Sequence, residues 1–359
     1  MLTYIVRRLL LMVPTLIGVT AVVFFVMGLS PGGVGGNLLN QQGEMDPKLR
    51  EAMRAYYEQR YGLDQPLVVQ YGRWLHQVSP VGAKPAGSGF PRGTTFGIKT
   101  PNLGESLLKR RPVTELYAEA LPITLMLNLI SAPVVYVIAI VSGIYMARHR
   151  GRAFDVASGV GFLGLWSLPT MWVGVMLIGF LANRQYFHWF PTGELNTFAA
   201  ADMPFLPTFD DHGFVRGWLL DRLWHLVLPL VCMIYGGFAF LSKLMRSAML
   251  ENLSADYIRT ARAKGVGERD VLFRHAFRNS LLPLITVAAG ILPGLLVGSV
   301  IIETIFSIPG MGKLTIDAIY ARDRELVLAG TLVSGVIGLL CMLVADIAYA
   351  IADPRVSYE

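Results

Sequence analysis

Charge is scarce in this chain. Asp, Glu, Lys and Arg together make up 16% of its 359 residues, where soluble domains carry roughly 25%. Beside a hydrophobic content of 53% and a mean hydropathy of +0.51, that scarcity excludes an ordinary soluble domain and points to a membrane. Cysteine is nearly missing too. The two present, Cys232 and Cys341, lie inside apolar runs, form no CxxC pair and show no Cys/His spacing suited to a metal. They read as small buried hydrophobes. The chain also lacks the G-x-x-x-x-G-K-[ST] spacing of a phosphate-binding loop; Gly310-Met311-Gly312-Lys313 contains similar residues at the wrong spacing. No H-E-x-x-H occurs, and no Ser, His and Asp set converges by spacing. The expectation is a protein without catalytic residues, metal or cofactor of its own.

Long hydrophobic runs, by contrast, are plentiful. A helix crossing about 30 Å of hydrocarbon needs roughly 20 apolar residues. Six stretches qualify: 9–29, 120–146, 156–181, 226–250, 284–306 and 327–351. Pro169 and Pro293 fall inside the third and fifth, where neighbouring helices can satisfy freed carbonyls, so kinks rather than breaks are expected. The first run, after Arg7 and Arg8, exceeds a signal-peptide core and has no A-x-A site behind it. It reads as an uncleaved first span.

Lys and Arg orient the chain. With the N-terminus inside, fourteen of them lie in inner segments and six in the short outer loops, Arg184, Arg216, Arg222, Lys313, Arg322 and Arg324. The long loop 30–119 falls outside the rule, which governs short loops. Both termini are therefore expected inside. The net charge of +6 is then topological, and nucleic acid is not an expected partner.

Two polar segments interrupt the spans. In the loop 30–119, Asp46-Pro47 marks a helix start carrying Leu49, Met53, Tyr56 and Tyr57, with Gly62 as its stop. Asp64-Gln65-Pro66 starts a second helix, and the Gly- and Pro-rich stretch 80–104 reads as irregular. In the loop 251–283, Ser254 is placed to cap a short helix over 256–264. Asp256 sits in its first turn and Gly265 at its left-handed stop. A second helix is expected over 268–278. A short basic helix between two spans can lie at the membrane surface and dock on a partner.

This stretch carries a resemblance. Residues 256–265, DYIRTARAKG, resemble the coupling motif of ABC-importer permeases, E-A-A-x-x-x-G followed by an apolar-Leu-Pro element. Ala261 and Gly265 match its second alanine and its glycine. Arg259 replaces the usual Glu, Thr260 the first Ala, and Leu282-Pro283 comes about five residues late. The departures are those of the dipeptide/oligopeptide branch, which Arg274-His275-Ala276 and residues 278–283 (RNSLLP) also fit. The likeness runs the whole chain, through residues 4–16 (YIVRRLLLMVPTL), 61–75 (YGLDQPLVVQYGRWL), 111–124 (RPVTELYAEALPIT), 303–312 (ETIFSIPGMG) and the tail 345–356. The chain is identified as similar to the first-permease type of that family. A finer likeness, around 189–193 and 223–229, is to permeases for microcin C-type peptides.

The resemblance implies an all-α integral membrane protein of the bacterial inner membrane. It has six transmembrane helices with both ends inside. It divides into a first helix at 1–29, a partly helical periplasmic insertion at 30–119, and a five-helix core at 120–359 with the cytoplasmic coupling loop 251–283. It implies a second permease, two ATPase subunits or one fused ATPase holding ATP and Mg, a periplasmic peptide-binding protein facing loops 31–119, 183–223 and 307–326, and a peptide substrate. Coupling to the ATPase falls to Tyr257, Arg259, Ala261, Arg262 and Gly265. Ala261 would allow close approach, Gly265 the turn, and the arginines pairing with partner carboxylates. Independently of the resemblance, ionisable groups within spans are functional candidates. Glu303, Asp346 and His225 are thus possible pathway or inter-helix polar contacts. The competing reading is a secondary transporter or channel subunit independent of ATP, against which stand the lack of an internal repeat and the few intramembrane charges.

Overall fold

A computed structural model describes residues 2–30, 64–84, 95–210, 213–297 and 299–352. Helices dominate. In order they are Leu2–Leu29, Leu67–Val78, Val113–Arg148, Ala153–Ser167, Thr170–Leu177, Gly217–Ser254, Asp256–Ala263, Leu282–Val297, Val300–Ile305, Met311–Ala321 and Arg324–Ala352, with shorter helical turns between. Hydrocarbon offers no water to backbone N–H and C=O groups, so long apolar runs close their hydrogen bonds within themselves. Four of the helices among the described residues are long and apolar enough to cross a membrane, and a bent pair would make a fifth if it is one span.

The bent pair corrects the expectation at Pro169. Ala153–Ser167 and Thr170–Ala182 meet at 90°, a break rather than a kink. Leu168 is extended with ψ 125° and Pro169 with ψ 128°, as the clash of a proline ring with the preceding residue demands. The carbonyl of Leu168 does find a partner on a neighbouring helix, because the Tyr235 hydroxyl donates to it at 2.9 Å. Pro293 does the opposite: Leu282–Val297 runs through its position, and the interruption comes at Ser299, which caps Val300–Ile305. At 16 residues the first piece falls short of the roughly 20 that a crossing needs.

The chain forms two compact units. One comprises Met1–Ala120, Leu314–Leu343 and Ala350–Glu359. Its core gathers Phe24, Trp74, Val78 and Leu328. Tyr71 fixes the helix Leu67–Val78 onto the first helix by donating to the Ile17 carbonyl at 2.8 Å. In the same unit Asp323 accepts from the Ser106 hydroxyl at 2.6 Å, and Tyr117 donates to the Leu326 carbonyl at 3.0 Å. The segment 80–104 is not wholly irregular: Val81–Lys84 pairs antiparallel with Thr95–Ile98, Val81 opposite Ile98. A second hairpin pairs Thr208–Asp210 with Gly213–Val215, so the all-α expectation misses two small ribbons. The helix expected over 46–62 lies outside the described residues, as does the end of the tail, Asp353-Pro354-Arg355.

The other unit comprises Leu121–Lys313 and Val344–Tyr349. Helices Val113–Arg148 and Gly217–Ser254 approach closely at Gly143, where an added Cβ would lie 2.6 Å from the Met245 Cβ. The Ser142 and Ser242 hydroxyls sit 2.7 Å apart beside it. Small residues at such a crossing let two backbones come together where no hydrophobic force separates lipid from protein.

Glu303 organises the far end of this unit and is fully buried. Its carboxylate accepts from the Thr124 hydroxyl at 2.9 Å and from the backbone N–H groups of Lys313, at 3.0 Å, and Gly312. The Thr124 oxygen in turn accepts from the Met311 N–H at 2.9 Å. The first three N–H groups of Met311–Ala321, which no intrahelical carbonyl can reach, are thus all satisfied, and the negative charge lies at the helix end that favours it. Gly310 leaves the room: a Cβ there would fall 2.5 Å from the Glu303 Cδ.

Two stability predictions follow from these contacts. Gly143→Val overpacks the crossing and lowers stability by about 1–3 kcal/mol, read as a drop in melting temperature of the detergent-purified subunit. Glu303→Ala orphans three buried donors and costs about 3 kcal/mol or more, while Glu303→Gln costs less because one acceptor oxygen remains. Equal melting temperatures for the two Glu303 variants would refute the capping role.

Candidate functional site

The loop 251–283 is built from the inside outward. Gly217–Ser254 ends one residue before the short helix, and Ser254 does not cap it. Its hydroxyl bonds back to the Glu251 carbonyl at 2.8 Å, and Ala255 stands at the cap position with no side-chain bond. Asp256 and Arg262 lie in the first and last turns of Asp256–Ala263, each at the dipole end that suits its charge. Eight residues hold no helix in water unaided. The anchor is Ile258, fully buried in a cluster with Met245, Met249, Val271 and Ala276; burying such a side chain contributes about 1.5–3 kcal/mol.

Gly265 stops the helix as its position suggests. Its φ is +80°, its N–H bonds to the Arg262 carbonyl at 2.9 Å, and the Val266 N–H to the Ala261 carbonyl at 3.2 Å. These paired 5→2 and 6→1 bonds form a Schellman motif. Beyond it, the expected second helix is a helical run in three pieces. Glu268–Asp270 leads into a wide π-helical turn, Val271–Phe277, and then Arg278–Ser280.

The five residues singled out on this loop do not share one face. Tyr257 is 40% exposed and the Arg259 side chain 74% exposed. Arg259 makes only a solvent-facing contact to Asp256 at 3.3 Å, an ion pair worth under about 1 kcal/mol, so its guanidinium is available outward. Arg262 is engaged within the loop, donating to Glu268 at 2.7 and 3.3 Å. That hydrogen-bonded guanidinium holds the Glu268 carboxyl below its usual range. Ala261, only 9% exposed, is turned toward the protein's own interior. Close approach of an outside groove to its methyl is not what the geometry offers; its small size lets the helix sit close on its own support.

Sequence reasoning missed the side chains that brace this helix. The Tyr257 hydroxyl donates to Asn252 Oδ1 at 2.7 Å and accepts from Asn279 Nδ2 at 3.1 Å, while Asn252 Nδ2 also donates to the Ser280 hydroxyl at 3.1 Å. No periodicity signals these partners, because they are set 5 and 22 residues away from Tyr257. In the same unit, Asp155 at the start of Ala153–Ser167 accepts from Arg246 at 2.5 and 2.7 Å.

The three intramembrane candidates separate. Glu303 caps a helix, as described. His225 is 5% exposed, and its Nδ1–H donates to the Asp221 carbonyl at 2.9 Å. Asp221 accepts from the Thr197 N–H at 2.8 Å, and Arg222 donates to Asn196 at 2.9 Å, which ties the 183–216 segment to the start of Gly217–Ser254. His225 also lines a cleft of about 1000 Å3 with Asn183, His188, Glu194 and Thr197. Leu226 beside it and Ile302 beside Glu303 share one buried cluster, so both groups are fixed to the same core. Asp346 lies half-buried on Arg324–Ala352.

Comparison with known proteins agrees with this architecture. The profile of the family described as binding-protein-dependent transport system inner membrane component matches residues 139–358, and that of its N-terminal part matches residues 1–128. The chain is 36% identical to the oligopeptide transport system permease protein AppB of Bacillus subtilis (strain 168), over 100% of both chains. It is 35% identical to the di/tripeptide transport system permease protein DppB of Pseudomonas aeruginosa (strain UCBPP-PA14), again over 100% of both. To the inner membrane ABC transporter permease protein YejB of Escherichia coli O157:H7 it is 29% identical over 99% of each. Family profiles that together take in nearly the whole chain, and relatives aligned end to end, lead to one assignment: the chain belongs to the binding-protein-dependent transport system inner membrane components, a family of multi-pass transporter permeases and not of enzymes.

Proposed function

We propose that this chain is one of two permease subunits of an ATP-driven peptide importer in the bacterial inner membrane. It crosses six times with both ends in the cytoplasm, and residues 284–306 supply the fifth crossing as Leu282–Val297 joined to Val300–Ile305. The single observation that carries the reading is the loop 251–283. A helix too short to stand alone is held by Ile258, closed by the Schellman turn at Gly265, and presents Tyr257, Arg259 and Lys264 outward. A rigid basic projection between two spans suits docking on a cytoplasmic ATPase. Peptide as cargo is supported by the relatives, whose names specify oligopeptide and di/tripeptide transport.

In this reading ATP and Mg are held by the ATPase subunits, and this chain binds neither. Closure of the ATPase pair moves the short helix, and the permeases alternate between an outward and an inward opening. A periplasmic binding protein delivers the peptide against the 31–119, 183–223 and 307–326 loops. The finer assignment to microcin C-type peptides is supported only by the resemblance at 189–193 and 223–229. His225 and the cleft it lines are candidates for contact with arriving peptide; Asp346 is a candidate inter-helix contact.

The test is ATP-dependent peptide uptake by the complete transporter in proteoliposomes. Gly265→Pro forces φ to about −65° and removes the N–H that bonds Arg262, so uptake falls at least about tenfold while the subunits still co-purify. Gly265→Ala, with a left-handed cost of about 1–2 kcal/mol, gives a partial loss. Uptake that continues without ATP, driven by an ion gradient, would establish the secondary-transporter reading instead.

A further inference from the structure

The brace around Tyr257 has a geometry that docking alone does not require. Its ring is part of the outward surface, yet its hydroxyl is turned inward and used twice. As a donor it meets Asn252 Oδ1, on the helix before the loop; as an acceptor it meets Asn279 Nδ2, in the helical run after it. Asn252 spends its two N–H groups on the Ala248 carbonyl at 2.9 Å and the Ser280 hydroxyl at 3.1 Å. The Ser280 hydroxyl lies 3.1 Å from the Ala248 carbonyl and 2.8 Å from that of Ala276. Every polar atom of the Asn252 amide is therefore occupied, and one phenolic oxygen closes the circuit between three helical segments.

Resting on the reading of this loop as the ATPase contact, we propose that Tyr257 is a positioning residue whose hydroxyl locks the short helix to both flanking helices, so that movement imposed on the helix is shared between the two spans it connects. The other attachments do this less well. Ile258 anchors the helix to the same core, but apolar contacts are non-directional and tolerate rotation. The Arg262–Glu268 pair spans only the turn after the helix and reaches neither flanking span. A hydrogen bond weakens steeply away from linear geometry, so two bonds on one oxygen fix the helix in angle as well as distance. Phe at this position would keep the ring packing and delete both bonds.

The experiment compares peptide transported per ATP hydrolysed in proteoliposomes of the complete transporter. Tyr257→Phe is expected to leave subunit co-purification and ATP hydrolysis in place while the ratio falls about fivefold or more, the lower end of ordinary coupling between sites. Asn279→Ala reduces the ratio too, and Tyr257→Phe with Asn279→Ala loses no more than Tyr257→Phe alone, because both act through one oxygen. Ser254→Ala, which removes a hydroxyl bonded only to its own helix, leaves the ratio unchanged. A merely structural role would lower the yield of assembled transporter and not the ratio. A photo-crosslinking amino acid at position 259 separates the two readings. If it links to the ATPase and Tyr257→Phe keeps the wild-type ratio, the lock is overturned and the docking surface stands. If it never links in any nucleotide state, the docking reading fails and the lock falls with it.

Discussion

Backbone hydrogen bonding in a medium without water is the constraint on which the rest of this structure depends. Within the long helices the problem solves itself; it returns at every place where a helix stops. Each stop described here has a named remedy. The Leu168 carbonyl, freed at Pro169, is taken by Tyr235. The N–H groups that open Met311–Ala321 are taken by Thr124 and Glu303. The carbonyls that close Asp256–Ala263 are taken by the Gly265 and Val266 N–H groups. The polar side chains of this chain are few, and a large share of those that are buried serve its backbone.

That economy changes the meaning of an intramembrane charge. Glu303 by composition is a suspect for cargo or ion binding. In place its carboxylate is held by a hydroxyl and by two N–H groups of a helix end. Asp221 and Arg222 similarly hold residues 196–197 to the start of Gly217–Ser254, with His225 bonded back to the Asp221 carbonyl. Magnitudes point the same way at the loop 251–283. Burial of Ile258, which contributes about 1.5–3 kcal/mol, outweighs the Arg262–Glu268 pair, whose charges are screened by solvent. The apolar residue decides that the helix exists, and the charged ones decide what its surface offers.

The sequence carried much of this, unevenly. Four continuous spans and the residues of a fifth were legible because a 20-residue apolar run has few other meanings. Gly265 was legible as a left-handed stop because almost no other residue accepts that conformation readily. Pro169 was misread: the helix breaks there although Tyr235 takes the Leu168 carbonyl, so a partner for the carbonyl does not by itself keep a helix continuous. Ser254 had a capping residue's chemistry but stood inside the preceding helix, where its hydroxyl bonds to the carbonyl three residues back. Ala261 was assigned outward from the resemblance, yet its place three residues after Ile258 sets both on the same inward face. The Asn252, Asn279 and Ser280 brace had no one-dimensional signature at all, since polar residues near a span end usually face water.

The wide turn at Val271–Phe277 bears on more than its own seven residues. An α-helix rotates about 100° per residue, and a π turn is in effect one residue more than that winding can absorb. Everything downstream of Phe277 is therefore rotated by about that angle relative to an uninterrupted helix starting at Glu268. The following helix is apolar almost all the way round, so its own composition favours no one side strongly, and the winding before it sets the angle at which it begins. In a segment with so little facial asymmetry of its own, phase is inherited.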